Sequence, residues 1–278
     1  MIIFILFIIL FLLIGISVPI GIALGLATTL TMLISKDVSL NFVAQNAFTS
    51  LDSFPLMAIP FFMLAGNIMS YGGVSKKLLN LADALVGKII GGLAMVTTVT
   101  CMFFAAISGS GPATVSAIGS FMIPEMNEKG YSPGFSAAIT SVSGAIGVII
   151  PPSIPFVIYG VTSGASIGDM FIAGVIPGIL IGLGLMITSY IIAKKEGFKG
   201  TKEAPPLGKA FFEAIPSLTV PVVILGGIYA GIFTPTESAA VGCVYGIFIS
   251  MVFNKSMSFK DLYNALKDAV LINGATTY

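Results

Sequence analysis

The sequence predicts an all-α polytopic membrane protein whose transmembrane helices are interrupted by a re-entrant helical hairpin and by a discontinuous, unwound helix. Three observations predict it. Only 9% of the 278 residues are charged and 56% are hydrophobic, with a mean hydropathy of +1.04. A soluble domain carries about 25% charged residues and needs them to cover its surface. Apolar windows long enough to cross about 30 Å of hydrocarbon recur along the chain. Finally, two of the most apolar stretches are broken by Gly, Pro and Ser, in "AISGSGPATVSAIG" (106–119) and "GAIGVIIPPSIPF" (144–156).

Each element follows in order. Residues 2–34 read as one retained span, tilted and kinked at Pro19; with no charged start it is not a cleaved signal peptide. "SKDVSLNFVAQNAFTSLDSF" (35–54) suits an interfacial helix, and 54–71 is a second span. In "SKKLLNLADALVGKII" (75–90), Leu78, Leu79, Leu81, Ala82 and Leu85 fall at helical spacing beside Lys76, Lys77 and Lys88. That pattern predicts a helix on the membrane surface. Residues 89–107 and 115–123 flank the first break, and "PEMNEKGYSP" (124–133) reads as a polar connection. The run 134–162 carries the second break; spans at 170–193, 211–233 and 237–253 follow, with "KKEGFKGTKEAPPLGK" (194–209) as the most charged loop. "KSMSFKDLYNALKDAV" (255–270) opens a further amphipathic segment.

Lysine placement orients the bundle. With 194–209 cytoplasmic, counting back through two crossings makes 124–133 cytoplasmic too. If 89–123 goes in and returns, Lys76, Lys77 and Lys88 join them, and every Lys except Lys36 lies inside. With about nine residues after its break, the second arm is too short to cross at 1.5 Å per residue, which favours a re-entrant hairpin.

Composition also excludes functions. All 13 basic residues are Lys and there is no His, so histidine-based metal, general-base or triad chemistry is ruled out. A net charge of +1 with Lys in loops argues against a nucleic-acid partner. Cys101 and Cys243 sit in separate apolar runs and read as core residues rather than a disulfide. Ser110 has no base near it, so the chain is not read as an enzyme. Thr234, Pro235 and Glu237 form a capping-box pattern, and Asp169 reads as a helix-start charge.

The breaks carry the functional signal. Unwound backbone at membrane depth is tolerated only where protein buries it or a polar cavity receives it. Gly109 and Gly111 permit the turn, Pro112 suits the start of a helix, and Ser108, Ser110 and Thr114 add hydroxyls. Pro151 and Pro152 free carbonyls one turn earlier, near Gly147 and Val148, while Ser153 can cap the next helix. Freed carbonyls suit a cation and helix N-termini an anion. Secondary transporters build midplane sites from such discontinuous helices. An ion channel, or a permease of another inverted-repeat anion:sodium symporter family, is the alternative reading.

Four motifs in order, "IPFFMLAGNIM" (59–69), "ISGSGPATVSAIGSFMIPEM" (107–126), "GVIIPPSIPFVIYG" (147–160) and "GIFTPTESAAV" (231–241), resemble the large membrane subunit of tripartite ATP-independent periplasmic (TRAP) transporters, the DctM type. The resemblance implies an inverted-repeat, elevator-type fold and sodium-driven import of organic acids such as C4-dicarboxylates or sialic acid across the bacterial inner membrane. It implies no cofactor beyond sodium as coupling ion, and as partners a small four-helix membrane subunit and a periplasmic substrate-binding protein. It implies N-terminal scaffold helices (1–73), an arm helix (74–88), a transport domain (89–169) with hairpin tip 108–114 and break 147–153, a span with a Lys-rich loop (170–210), and a second repeat (211–278). The second hairpin and second Pro-Pro break are not in the sequence, so an incomplete second repeat and a fragment are implied. Carried over, Ser108, Gly111, Gly147 and Ile150 would bind sodium, mainly through backbone carbonyls. Ser110, Pro112, Thr114 and Ser153 would line the substrate cavity.

Overall fold

The computed structural model describes residues 2–35, 40–201 and 204–277, which are helical with no strand among them. Lys36 lies outside the described residues. The chain divides into two compact units, one drawn from 1–53 and 275–278 and the other from 54–274.

The first unit contains α1 (Ile2–Gly15), α2 (Ile20–Ser35) and α3 (Leu40–Leu51). The single span expected over 2–34 is instead two helices packed on each other. A turn reverses the chain: Ser17 has φ 63°, Ser17 N–H donates to Ile14 O at 2.9 Å, and Val18 N–H donates to Leu13 O at 3.1 Å. Pro19 then starts α2, its carbonyl accepting the Ala23 N–H at 2.8 Å. With 14 and 16 residues, α1 and α2 cover about 21–24 Å each. The turn is itself apolar, so composition ran straight through it.

In the second unit a 3₁₀ turn (Phe54–Met57) leads into α4 (Ala58–Tyr71), followed by α5 (Val74–Val86), α6 (Gly92–Ser108) and α7 (Gly111–Glu128). Next come α8 (Pro133–Ala145) with a 3₁₀ turn at Ile146–Val148, α9 (Ile154–Ser163) and α10 (Ile167–Glu196). The unit continues with α11 (Leu207–Tyr229), α12 (Pro235–Phe248) with a π turn at Ile249–Phe253, and α13 (Phe259–Thr277) as far as residue 274. Four helical segments among the described residues are long and apolar enough to cross a membrane: Phe54–Tyr71, Ile167–Glu196, Leu207–Tyr229 and Pro235–Phe253. The chain is an integral membrane protein.

Helix α6 lies at the centre, packed on α4, α5, α7, α8, α10 and α11. It is apolar on every face, as a helix surrounded by others must be. Two of its hydroxyls are returned to backbone, Thr97 donating to Leu93 O at 2.8 Å and Thr98 to Ala94 O at 3.1 Å, while that of Thr100 is buried without a partner among the described residues. Thr98 also meets Ser143 of α8, oxygen to oxygen, at 2.9 Å. Cys101 and Cys243 are both buried and free.

Two expectations change. Helix α7 runs on through Pro124 to Glu128, so the connection expected over 124–133 shrinks to four residues, 129–132. Polarity there marks exposure rather than the helix end. The arms of the α6–α7 hairpin are therefore 17 and 18 residues, about 26 and 27 Å, and the short-arm argument for re-entrance falls away. Helix α5 presents Leu78, Leu81 and Ala82, all buried, to α6 and α11, so protein covers the face expected on lipid. Of the apolar residues named for this helix, only Leu85 remains well exposed.

The capping box forms as read: Thr234 Oγ1 accepts the Glu237 N–H at 3.3 Å, and Glu237 Oε2 accepts the Thr234 N–H at 2.8 Å. Asp169 lies in the first turn of α10, where the hydroxyl oxygen of Ser166 accepts its N–H.

Candidate functional site

The first break is a two-residue gap between α6 and α7, Gly109 and Ser110. Gly109 ends α6 in the left-handed region, φ 62°, and its N–H donates to Ala105 O at 3.0 Å. That is the conformation glycine supplies at helix ends. Ser110 is extended (φ −133°, ψ 123°) and caps α7, its hydroxyl oxygen accepting the Ala113 N–H at 3.4 Å. Pro112 sits in the first turn, where a missing N–H costs nothing.

The second break repeats this start. Ser153 is extended (φ −131°, ψ 122°) and caps α9 by accepting the Phe156 N–H at 3.4 Å, with Pro155 in the first turn. The Ser153 hydroxyl also donates to Val148 O at 2.7 Å, so one of the two carbonyls freed by the Pro-Pro pair is taken up again. The peptide bond between Pro151 and Pro152 is cis.

The breaks meet. Ile154 N–H donates to Gly109 O at 3.1 Å, joining the start of α9 to the tip of the hairpin. A Cβ on Gly109 would stand 2.7 Å from Pro152 O. One on Gly147 would stand 2.8 Å from Thr114 Oγ1 and 2.9 Å from Ser110 O. Backbone therefore lies against backbone, which only glycine allows.

Each residue expected at the site can now be placed. Ser108, Gly111, Gly147, Thr114 and Ser153 are buried, Ser110 and Ile150 are half-buried, and Pro112 is exposed. The Ser110 carbonyl is filled, accepting the Thr114 N–H at 3.0 Å and the Thr114 hydroxyl at 2.8 Å. Ser108 Oγ lies 3.0 Å from Thr114 Oγ1. By contrast, the carbonyls of Ser108, Gly147 and Ile150 accept no hydrogen bond from the described residues. Gly111 differs from these three, because it opens α7 and its carbonyl points into a helical ladder. The stretch expected as the tip, 108–114, is thus mostly helix, and the unwound part of 147–153 is 149–153.

Three groups went unread in the sequence. Gly66 of α4 packs on the tip, with its Cβ position 3.1 Å from Ser108 Cα. Beside it, Asn67 has a buried amide nitrogen without a hydrogen-bond partner. A lone amide in "LAGNIM" was the signal. Gly174 and Gly178 of α10 receive the second break: a Cβ on Gly174 would stand 2.5 Å from Ile149 O, and one on Gly178 would strike Ile150. Their four-residue spacing, continued by Gly182 against Met102, is the small-residue pattern of close membrane helix packing. Next to the tip, Gly111, Pro112, Val115, Ser116, Ser141, Ala145 and Val148 line an open, mostly apolar groove of about 520 Å³.

Chemically, the arrangement offers a cation carbonyl and hydroxyl oxygens, and offers an anion two helix N-termini. Among the described residues no group of three or more acids or cysteines could hold a metal ion.

Comparison with known proteins bears on this arrangement. Residues 7–278 match the family described as tripartite ATP-independent periplasmic transporter, DctM component. The chain is 52% identical over 242 residues to the isethionate TRAP transporter permease protein DctMQ of Oleidesulfovibrio alaskensis, covering 86% of this chain and 38% of that protein. It is 42% identical over 266 residues to the C4-dicarboxylate TRAP transporter large permease protein DctM of Rhodobacter capsulatus, covering 90% and 60%. Against the sialic acid TRAP transporter large permease protein SiaM of Vibrio cholerae, identity is 39% over 241 residues, covering 86% and 56%. The matched region is thus between 38% and 60% of the length of these relatives.

Proposed function

The chain belongs to the DctM-component family of tripartite ATP-independent periplasmic transporters, and from that premise we propose that its two breaks build a sodium site beside an organic-anion site. The observation that carries the proposal is the bond from Ile154 N–H to Gly109 O, which holds the two unwound segments together. Sodium is held by the carbonyls of Ser108, Gly147 and Ile150, and Gly111, whose own carbonyl lies in the α7 ladder, gives the backbone room beside them. Unwound carbonyls of this kind are how discontinuous helices hold coupling ions. The substrate lies against Ser110, Pro112, Thr114 and Ser153, where the N-termini of α7 and α9 face negative charge. With no Arg in the sequence, helix termini and hydroxyls are the available anion-binding groups.

Relatives are named for isethionate, C4-dicarboxylates and sialic acid, all organic anions, and the substrate is proposed to be of that class. The activity is import driven by a sodium gradient. A small membrane subunit completes the permease and a periplasmic protein delivers the substrate. The chain sits in the bacterial inner membrane with its Lys-rich loops inside, and residues 89–169 move as an elevator. Uptake by proteoliposomes holding the permease and its partners tests the reading: it should require an inward sodium gradient, and undiminished uptake with potassium alone refutes it.

A further inference from the structure

Away from the breaks, at the end of the bundle where α7 and α10 finish, lies a cavity of about 470 Å³ lined by Leu93, Lys129, Tyr131, Phe198, Lys199 and Thr201, with Gly197 and Gly200 completing the wall. The transport chemistry proposed above makes no use of it. Among the described residues two lysines, Lys129 and Lys199, line it and no Asp or Glu does. Glu125, Glu128 and Glu196 are on the closing turns of α7 and α10, but none of them lines the cavity. Neither Lys129 nor Lys199 has an ion pair among the described residues.

Several donors of the lining residues have no acceptor among the described residues. Tyr131 is 4% exposed, yet its hydroxyl has no hydrogen-bond partner. A buried hydroxyl left unpaired is costly, so such a group calls for a ligand or water. Burial pushes its pKa up to about 12, which keeps it a neutral O–H donor. The backbone N–H groups of Lys199 and Gly200 donate to nothing among the described residues. Thr201 is anchored by its N–H to Gly87 O at 2.8 Å, leaving its hydroxyl free. The frame is rigid: Tyr131 stacks on Phe198 with ring centroids 4.0 Å apart and 17° between planes, and Phe198 N–H closes the α10 terminus on Ala193 O at 3.0 Å.

We propose that this cavity is an oxyanion site that takes a phosphate group, either the headgroup of an acidic phospholipid or a free phosphate. Two lysines supply charge, while the Tyr131 and Thr201 hydroxyls and the loop N–H groups supply direction. Phosphate, with its several acceptor oxygens, matches a wall of donors better than a single carboxylate does. The stacked aromatic pair beside the cavity suits the boundary between headgroups and acyl chains.

The test is native mass spectrometry of the full chain purified in non-ionic detergent, with phosphatidylglycerol, phosphatidylcholine or inorganic phosphate added. Phosphatidylglycerol is expected to be retained about tenfold more than phosphatidylcholine, a preference worth about 1.4 kcal/mol. The double variant K129Q/K199Q should abolish that preference, and Tyr131→Phe should weaken it several-fold. K194Q/K195Q removes the same charge from the exposed end of α10 and should leave the preference intact, with circular dichroism checking that all variants fold. Displacement of the lipid by millimolar inorganic phosphate assigns the cavity to the free ion; resistance assigns it to the headgroup. Equal retention by the wild type and K129Q/K199Q, or equal loss in both double variants, overturns the site.

Discussion

Ser153 and Thr234 start their helices with the same local chemistry. Each is extended, accepts the N–H of the third residue along, and is followed by proline in the first turn. Their surroundings differ. Thr234 is exposed, and the Glu237 carboxylate that completes its box faces outward. Ser153 is buried, and the loop before it rests on another unwound loop, Gly109–Ser110, whose own cap has nearly the same backbone angles. A serine or threonine with proline therefore announces a helix start in both places. What sets Ser153 apart is a second break within backbone contact.

Several substitutions sharpen that contrast, the largest first. Gly109→Ala adds a side chain at positive φ and drives it into Pro152 O. Strain and overpacking together should cost about 2–5 kcal/mol, read as a loss of thermal stability and of uptake. Gly164 has a similar φ of 75° but open space around it, so Gly164→Ala should cost only about 1 kcal/mol. Equal effects at the two glycines would mean that the meeting of the breaks carries no weight. Gly147→Ala keeps an ordinary φ but presses on Ser110 O and Thr114 Oγ1, for an expected cost of about 1–3 kcal/mol with sodium dependence lost. Ser153→Ala removes both a cap and the bond to Val148 O inside the protein, about 2 kcal/mol in a denaturant melt. Thr234→Ala removes the matching exposed cap and should cost about 1 kcal/mol with uptake unchanged.

Much of this contrast could be read from residues alone. The apolar runs gave the spans near 54–71, 170–193, 211–233 and 237–253, because hydrocarbon thickness leaves little freedom in such lengths. The breaks were legible because Gly, Pro and Ser clusters conflict with their apolar setting. Three features were hidden, each for a physical reason. The turn at Ser17 is apolar, so nothing in composition separated α1 from α2. Pro124 removes one backbone donor yet leaves α7 intact, and Lys129 N–H still bonds Glu125 O at 3.1 Å, so a breaker residue did not break. Which carbonyls remain open depends on partners distant in sequence. The Ser110 carbonyl is closed by Thr114 and that of Val148 by Ser153, while those of Ser108, Gly147 and Ile150 stay open.

The central claim is that the paired breaks hold a sodium ion through their backbone. Its most direct test is thermal unfolding of the purified chain, titrated with NaCl against KCl at constant ionic strength. A specific site adds about 2.7 kcal/mol at a hundred times its Kd, on the order of 5 °C in Tm. The account predicts a saturating rise with sodium alone that disappears in Gly147→Ala. A rise of equal size in potassium, or one that survives in Gly147→Ala, would contradict it.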